Sequence, residues 1–256
     1  MNDYINVDSE GFLVNPTSID NISEDWMQII GEVISVSKKI YGDNLHSLYV
    51  RGSVPRGTST DYSDLNVLCV AKDKDKIRLV EEVDKEEIDW LVTKNKVNYN
   101  VIYLNEIDSN TEYSLKIHCL CIFGEDLIPN IRKFSLKDMI NVGKTLDDID
   151  DEFYEYASYG LTGIPTDNDK KDLCVWISKN ILRSAYKIVM LREKKYTTNL
   201  QLCYSGYYKY YPDSSELLTD FLEYISNPIA DLELLSDKWV DAKDLLDSQY
   251  EDRTLD

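Results

Sequence analysis

Histidine is scarce, cysteines are unpaired by spacing and long apolar runs are missing from this 256-residue chain. His46 and His118 stand alone, and no CxxC pair occurs, so a zinc site of ordinary spacing is excluded. Cys69, Cys119, Cys121, Cys174 and Cys203 are odd in number and sit mostly in apolar segments. Buried, reduced thiols are therefore expected, as in a cytoplasmic protein. Apolar stretches such as Val67–Ala71 fall far short of the roughly 18–20 residues that span a bilayer. The opening MNDYINVDSEGF is acidic and polar, without the basic and apolar regions of a secretory signal. A cytoplasmic protein with no membrane partner is the expectation. Basic charge is the other shortage: 28 Lys and Arg face 47 Asp and Glu, a net charge of −19. Such a field repels a phosphate backbone and argues against a nucleic-acid scaffold. It favours cations, including Mg²⁺ and polycationic small molecules, and it also serves plain solubility.

What is present suffices for a core. Apolar residues make up 43% of the chain, and the length suits one large domain or two of about 100–150 residues. Residues 1–20 read as an irregular arm. A helix is predicted from Asn21, with Asn21 as its cap, Glu24 at the reciprocal capping-box position and Gly42 at its end. Trp26, Ile29, Ile30, Val33, Ile34 and Val36 supply its apolar face. Strands are expected at SLYVRG (47–52), LNVLCVAK (65–72), KVNYNVIYL (96–104) and KIHCLCIFG (116–124), with an amphipathic helix over Lys74–Thr93. Beyond a polar hinge near 140–150 the pattern turns helical: Asp148–Tyr159, Asn168–Lys195, a helix opened by a capping box at Asp213–Glu216 and stopped at Asn227-Pro228, and a last one from about Asp231 to Tyr250. The domains expected are an arm (1–20), an α/β domain (21–145) and a helical domain (146–256).

The chemistry concentrates in residues 52–66. A Gly52-Ser53 turn after a strand lets backbone N–H groups approach a phosphate, because glycine has no Cβ in the way. The Ser53 hydroxyl can donate to a phosphate oxygen, and Arg56 adds a cation at the same turn. Asp64 and Asn66 alternate along the next strand and so share a face. Two carboxylates so placed, with a third from a neighbouring strand, would hold two Mg²⁺ ions that bridge triphosphate oxygens. A plain hairpin turn is the bland alternative.

The stretch GSVPRGTSTDYSDLN resembles the signature of the polymerase-β-like nucleotidyltransferases: Gly-Ser, a spacer, then Ser-Asp-x-Asp. It is most similar to the minimal and aminoglycoside-type bacterial members. The GEDL at Gly124–Leu127 and the helical stretch 181–204 fit the same resemblance, which covers about residues 20–228. It implies an α+β fold: a polymerase-β-like α/β domain with a mixed sheet, followed by an all-α helical bundle. It implies transfer of a nucleoside monophosphate, usually AMP from ATP, to an acceptor hydroxyl with two Mg²⁺, in a cleft between the domains. The acceptor is left open: a small molecule, RNA or a protein. Oligomeric state is not legible.

The sequence departs from that signature at the metal. Asp64 matches the first ligand, but Asn66 takes the second ligand's place. The strand that would carry the third acid offers Asn98 and Asn100, and no acid before Glu106. A metal-poor natural protein and a deliberate Asp→Asn change are both open explanations, as is a catalytically silent nucleotide-binding regulator or partner subunit. Arg183 and Lys187, four apart on one helix face, are candidates for triphosphate contact or simply a solvated face. Tyr196, in a Lys-Tyr-Thr that resembles a short motif of the longer family members, is a candidate for base stacking or for core packing. Arg51 is expected in a surface ion pair, and the Tyr-rich 203–211 either lines an acceptor pocket or packs helices.

Overall fold

The computed structural model describes residues 4–60, 63–74, 96–140, 144–159 and 165–252. The helix expected over Lys74–Thr93 lies almost wholly outside them. The described residues fall into two compact units. Phe12–Phe134 form one; residues up to Gly11, with those from Ser135 onward, form the other.

The first unit is built on a four-stranded mixed sheet. Its strands are β1 (Leu45–Arg51), β2 (Leu65–Ala71), β3 (Val97–Tyr103) and β4 (Cys119–Gly124), in the order β3-β2-β1-β4. β1 pairs antiparallel with both β2 and β4, whereas β2 and β3 run parallel. Helix α1 (Glu24–Tyr41) covers one face, where Ile30, Val33 and Ile40 pack with Leu48, Val50, Val67 and Cys69. Successive strand residues point to opposite faces, so these apolar positions leave Arg51, Asn66, Asn98 and Asn100 on the other side.

Local details depart from the sequence reading. α1 begins at Glu24 after Ser23, not at Asn21. Asn21 closes a short 3₁₀ turn, and its side-chain amide donates to the carbonyls of Pro16 and Pro55 instead. Residues 116–118, expected in the fourth strand, end a helix, α3 (Ser109–His118). Asp108 starts it by accepting from the Thr111 N–H at 2.7 Å, a side-chain cap that outweighs the short apolar run. A four-residue helical turn, α2 (Ser53–Arg56), fills the link between β1 and β2.

The second unit is helical: α4 (Leu146–Tyr159), α5 (Asp167–Glu193), α6 (Leu200–Tyr208), α7 (Ser215–Tyr224) and α8 (Leu232–Asp252). α5 opens with a capping box between Thr166 and Asp169 and runs through the middle of the unit, burying Leu173, Ile177, Ile181, Ala185 and Val189. The capping box expected before α7 does not form, since Ser214 makes no side-chain cap bond. The arm contributes here: Ile5 is 2% exposed, and its N–H donates to the Tyr196 carbonyl at 2.8 Å. The Tyr-rich stretch serves mainly to pack helices. Tyr207 is buried and donates to Gln249, and Tyr210 donates to Glu193. All five cysteines are free thiols; four are buried and Cys121 is half-buried. Among the described residues no helix is long and apolar enough to cross a membrane.

Candidate functional site

The site grows from the point where β1 ends. Gly52 leaves the strand with φ 90° and ψ −150°, a conformation open to glycine and strained for any residue with a Cβ. It turns the chain sharply into α2. A Cβ placed on Gly52 would meet Asn66 Nδ2 at 3.5 Å, an ordinary contact. Torsion rather than space therefore requires the glycine, and the turn lies directly against the start of β2.

Side chains tie the turn down. Ser53 Oγ donates to Ser63 Oγ at 3.2 Å, and Ser63 Oγ accepts from the Thr60 N–H at 2.8 Å. Arg56 Nε donates to the Gly52 carbonyl at 3.0 Å, which folds the guanidinium over the turn. Asn21 Nδ2 holds the Pro55 carbonyl at 3.1 Å from the preceding segment.

Beside the turn lies a row of amides. In the parallel pairing Asn66 stands opposite Asn98. Asn100 Nδ2 donates to Asn98 Oδ1 at 3.1 Å, Asn98 Nδ2 to Asn66 Oδ1 at 3.2 Å, and Asn66 Nδ2 to Asp64 Oδ1 at 3.0 Å. The polarity of this ladder follows from its end. An ionised carboxylate only accepts, so Asn66 must turn its nitrogen towards Asp64. That leaves the Asn66 oxygen facing Asn98, which must in turn present its nitrogen. One acid orients three amides.

Arg51 belongs to the same neighbourhood. It pairs in register with Asn66 across β1 and β2, which puts both on one face. Its Nη1 donates to Ser114 Oγ at 3.3 Å rather than to the carboxylate partner expected from the sequence. Cys119 is its register partner on β4, and burial pushes that thiol up to about 11 against the pull of the Arg51 charge. Glu106 pairs instead with Lys74 at 3.5 Å, past the opposite ends of β2 and β3. Alternation within one strand could not reveal Arg51 as a neighbour of Asn66, because that proximity depends on the pairing between strands.

No family model matches the chain. Among solved structures, it superposes on spectinomycin adenyltransferase AAD(9) from Enterococcus faecialis, crystallised with ATP and spectinomycin. The TM-score is 0.53, with 11% identity, over 85% of this chain and 99% of that one. The two chains share a fold. A curated protein of Methanocaldococcus jannaschii, provisionally named a protein adenylyltransferase, is 39% identical over 51 residues, 20% of this chain. The match spans 35% of that relative's own length.

On this fold, Gly52, Ser53, Arg56, Asp64, Asn66, Asn98 and Asn100 come together at one end of the sheet. Arg183, Lys187 and Tyr196 lie in the helical unit. Arg183 is exposed and Lys187 half-buried, one turn apart on α5, while Tyr196 is half-buried and its backbone bridges to Ile5. The donor set does not fit the two Mg²⁺ ions that the sequence motif implies. Among the described residues no three His, Cys, Asp or Glu side chains are grouped to hold a metal. The ladder supplies one carboxylate, and the oxygens of Asn66 and Asn98 already accept from neighbouring amides. Mg²⁺ gives up its water reluctantly and depends on carboxylate charge.

Proposed function

We propose that this protein is a nucleotidyltransferase that binds a nucleoside triphosphate, ATP in particular, at the Gly52-Ser53 turn and passes a nucleoside monophosphate to an acceptor hydroxyl. The observation that carries this reading is the strained Gly52 turn set against Asp64 at the sheet end of a nucleotidyltransferase fold. The Ser53 hydroxyl can exchange Ser63 for a phosphate oxygen, and Arg56 brings positive charge to the same turn. The ATP bound to the spectinomycin enzyme and the adenylyltransferase naming of the archaeal relative support ATP as the donor. No step is assigned to a metal. Where such sites draw several kcal/mol of transition-state stabilisation from metal ions, losing much of it slows transfer by roughly 10²–10⁴.

A second reading, nucleotide binding without transfer in a regulator or partner subunit, is favoured by the amide ladder itself. Both are tested by calorimetry with triphosphates, together with a transfer assay using labelled triphosphates and Mg²⁺ or Mn²⁺. Pyrophosphate release is followed for the parent chain and for Asn66→Asp combined with Asn98→Asp or Asn100→Asp. Slow release that rises in the variants supports transfer. Tight binding with no release in any of them supports the second reading, and an absence of triphosphate binding refutes both.

A further inference from the structure

We propose that this site takes its triphosphate without a divalent metal ion. The inference rests on the nucleotide-binding reading above and concerns how charge is balanced there. Carboxylates clustered at a sheet edge repel a polyphosphate, and a bound cation turns that repulsion into attraction. In this chain amides stand where most of that negative charge would be.

Asp64 is the single acid of the ladder. Arg51 stands in register across from Asn66, and Arg56 folds over Gly52. Arg51 offsets the one carboxylate of the ladder, whereas carboxylates in place of the amides would leave an excess of negative charge. The amides add donors. Each amide nitrogen has two N–H groups and spends one on the ladder. The second N–H of Asn66, Asn98 and Asn100 therefore faces no described partner and can donate to an incoming oxygen, and none of the three brings the like charge that an aspartate would. Asn98 and Asn100 are exposed, so an anion has access to the row. The ladder's direction, set by Asp64, keeps nitrogens rather than oxygens pointing along it towards the turn. Such an edge suits phosphate oxygens arriving bare better than a cation arriving with water.

The test is calorimetric titration of the full-length protein with ATP, once in EDTA and once in excess Mg²⁺. The two dissociation constants are expected to agree within about threefold. In Asn66→Asp/Asn98→Asp, which rebuilds an acidic edge, binding in EDTA should weaken by about tenfold or more and be recovered by Mg²⁺. Should the double variant fail to fold, Asn98→Asp alone carries the same expectation. Arg51→Met should weaken binding in EDTA by about tenfold, with Arg51→Lys retaining part of it and thermal melts confirming that both fold. ATP binding by the parent only when Mg²⁺ is present would overturn the inference and leave the nucleotide reading standing. Equal binding in EDTA by the parent and the acidic variants would also overturn it. Absence of ATP binding in both media would remove the nucleotide reading itself.

Discussion

Replacing Asn66 with aspartate probes the ladder most directly. The Asn66 Nδ2 to Asp64 Oδ1 bond is 3.0 Å long. The substitution deletes a hydrogen bond to a charged acceptor, about 1.5 kcal/mol at the low end suited to an exposed group. It also sets two carboxylates about 3 Å apart, which costs roughly 1.4 kcal/mol at the dielectric of water and more in a drier setting. Asp64 is exposed, so the aqueous figure applies. Asn98 Nδ2 would then donate to a carboxylate instead of an amide oxygen, returning about 1 kcal/mol. The net expectation is a loss of about 2 kcal/mol near neutral pH. The penalty exists only while both carboxylates are ionised. As pH falls through the carboxylate range one takes up a proton and donates to the other, so the difference between variant and parent should shrink on acidification. Urea unfolding of both proteins at pH about 7 and about 4.5 gives the two differences. Equal stability at the higher pH, or a loss of the same size at both, would show that Asp64 does not set the direction of the amides.

Other substitutions address separate parts of the argument. Gly52→Ala should cost about 1–3 kcal/mol from its backbone torsion and weaken ATP binding in calorimetry; unchanged stability would show that the turn relaxes freely. Ile5→Ala should lower the stability of the helical unit by about 2–4 kcal/mol, read as earlier protease cleavage within residues 165–252, because the arm packs there. Thiol labelling of the native protein should reach Cys121 first, since burial pushes Cys69 and Cys119 up to about 11 and Cys203 up to about 12; rapid modification of several thiols before unfolding would contradict the packing. Hydrogen bonds from Lys209 and Tyr210 hold Glu193 below the usual glutamate range. Its contribution is therefore full above about pH 4.5 and lost as pH falls through the lowered value, so Glu193→Gln should destabilise at neutral pH and matter least in strong acid.

Much of this was legible in the chain because the relevant forces are local. The helical spacing of Ile29, Ile30, Val33 and Ile34 marks α1, apolar runs bounded by polar turns mark β1 and β2, and the periodicity of 168–195 marks α5. Gly52 is named by the turn it must make. Where sequence reading failed, a competing hydrogen bond had decided the outcome. Asn21 carries a capping pattern, yet its amide is drawn away by the Pro55 carbonyl 34 residues later. Residues 116–118 look like strand, but the cap at Asp108 carries the helix through them.

The sequence by itself determined that residues 52–66 make a glycine turn, with Asp64 as the one acid at the strand positions where a metal site would want more. Tertiary structure alone decided what the remaining amides do. Asn66 and Asn98 meet because β2 and β3 run parallel in that register, and Arg51 joins them because β1 lies antiparallel on the other side. Strand order and register are settled by the burial of whole faces. A shift of one residue would send Asn66, Asn98 and Arg51 into the α1 core, so the placement of these polar groups follows from the packing of their apolar neighbours.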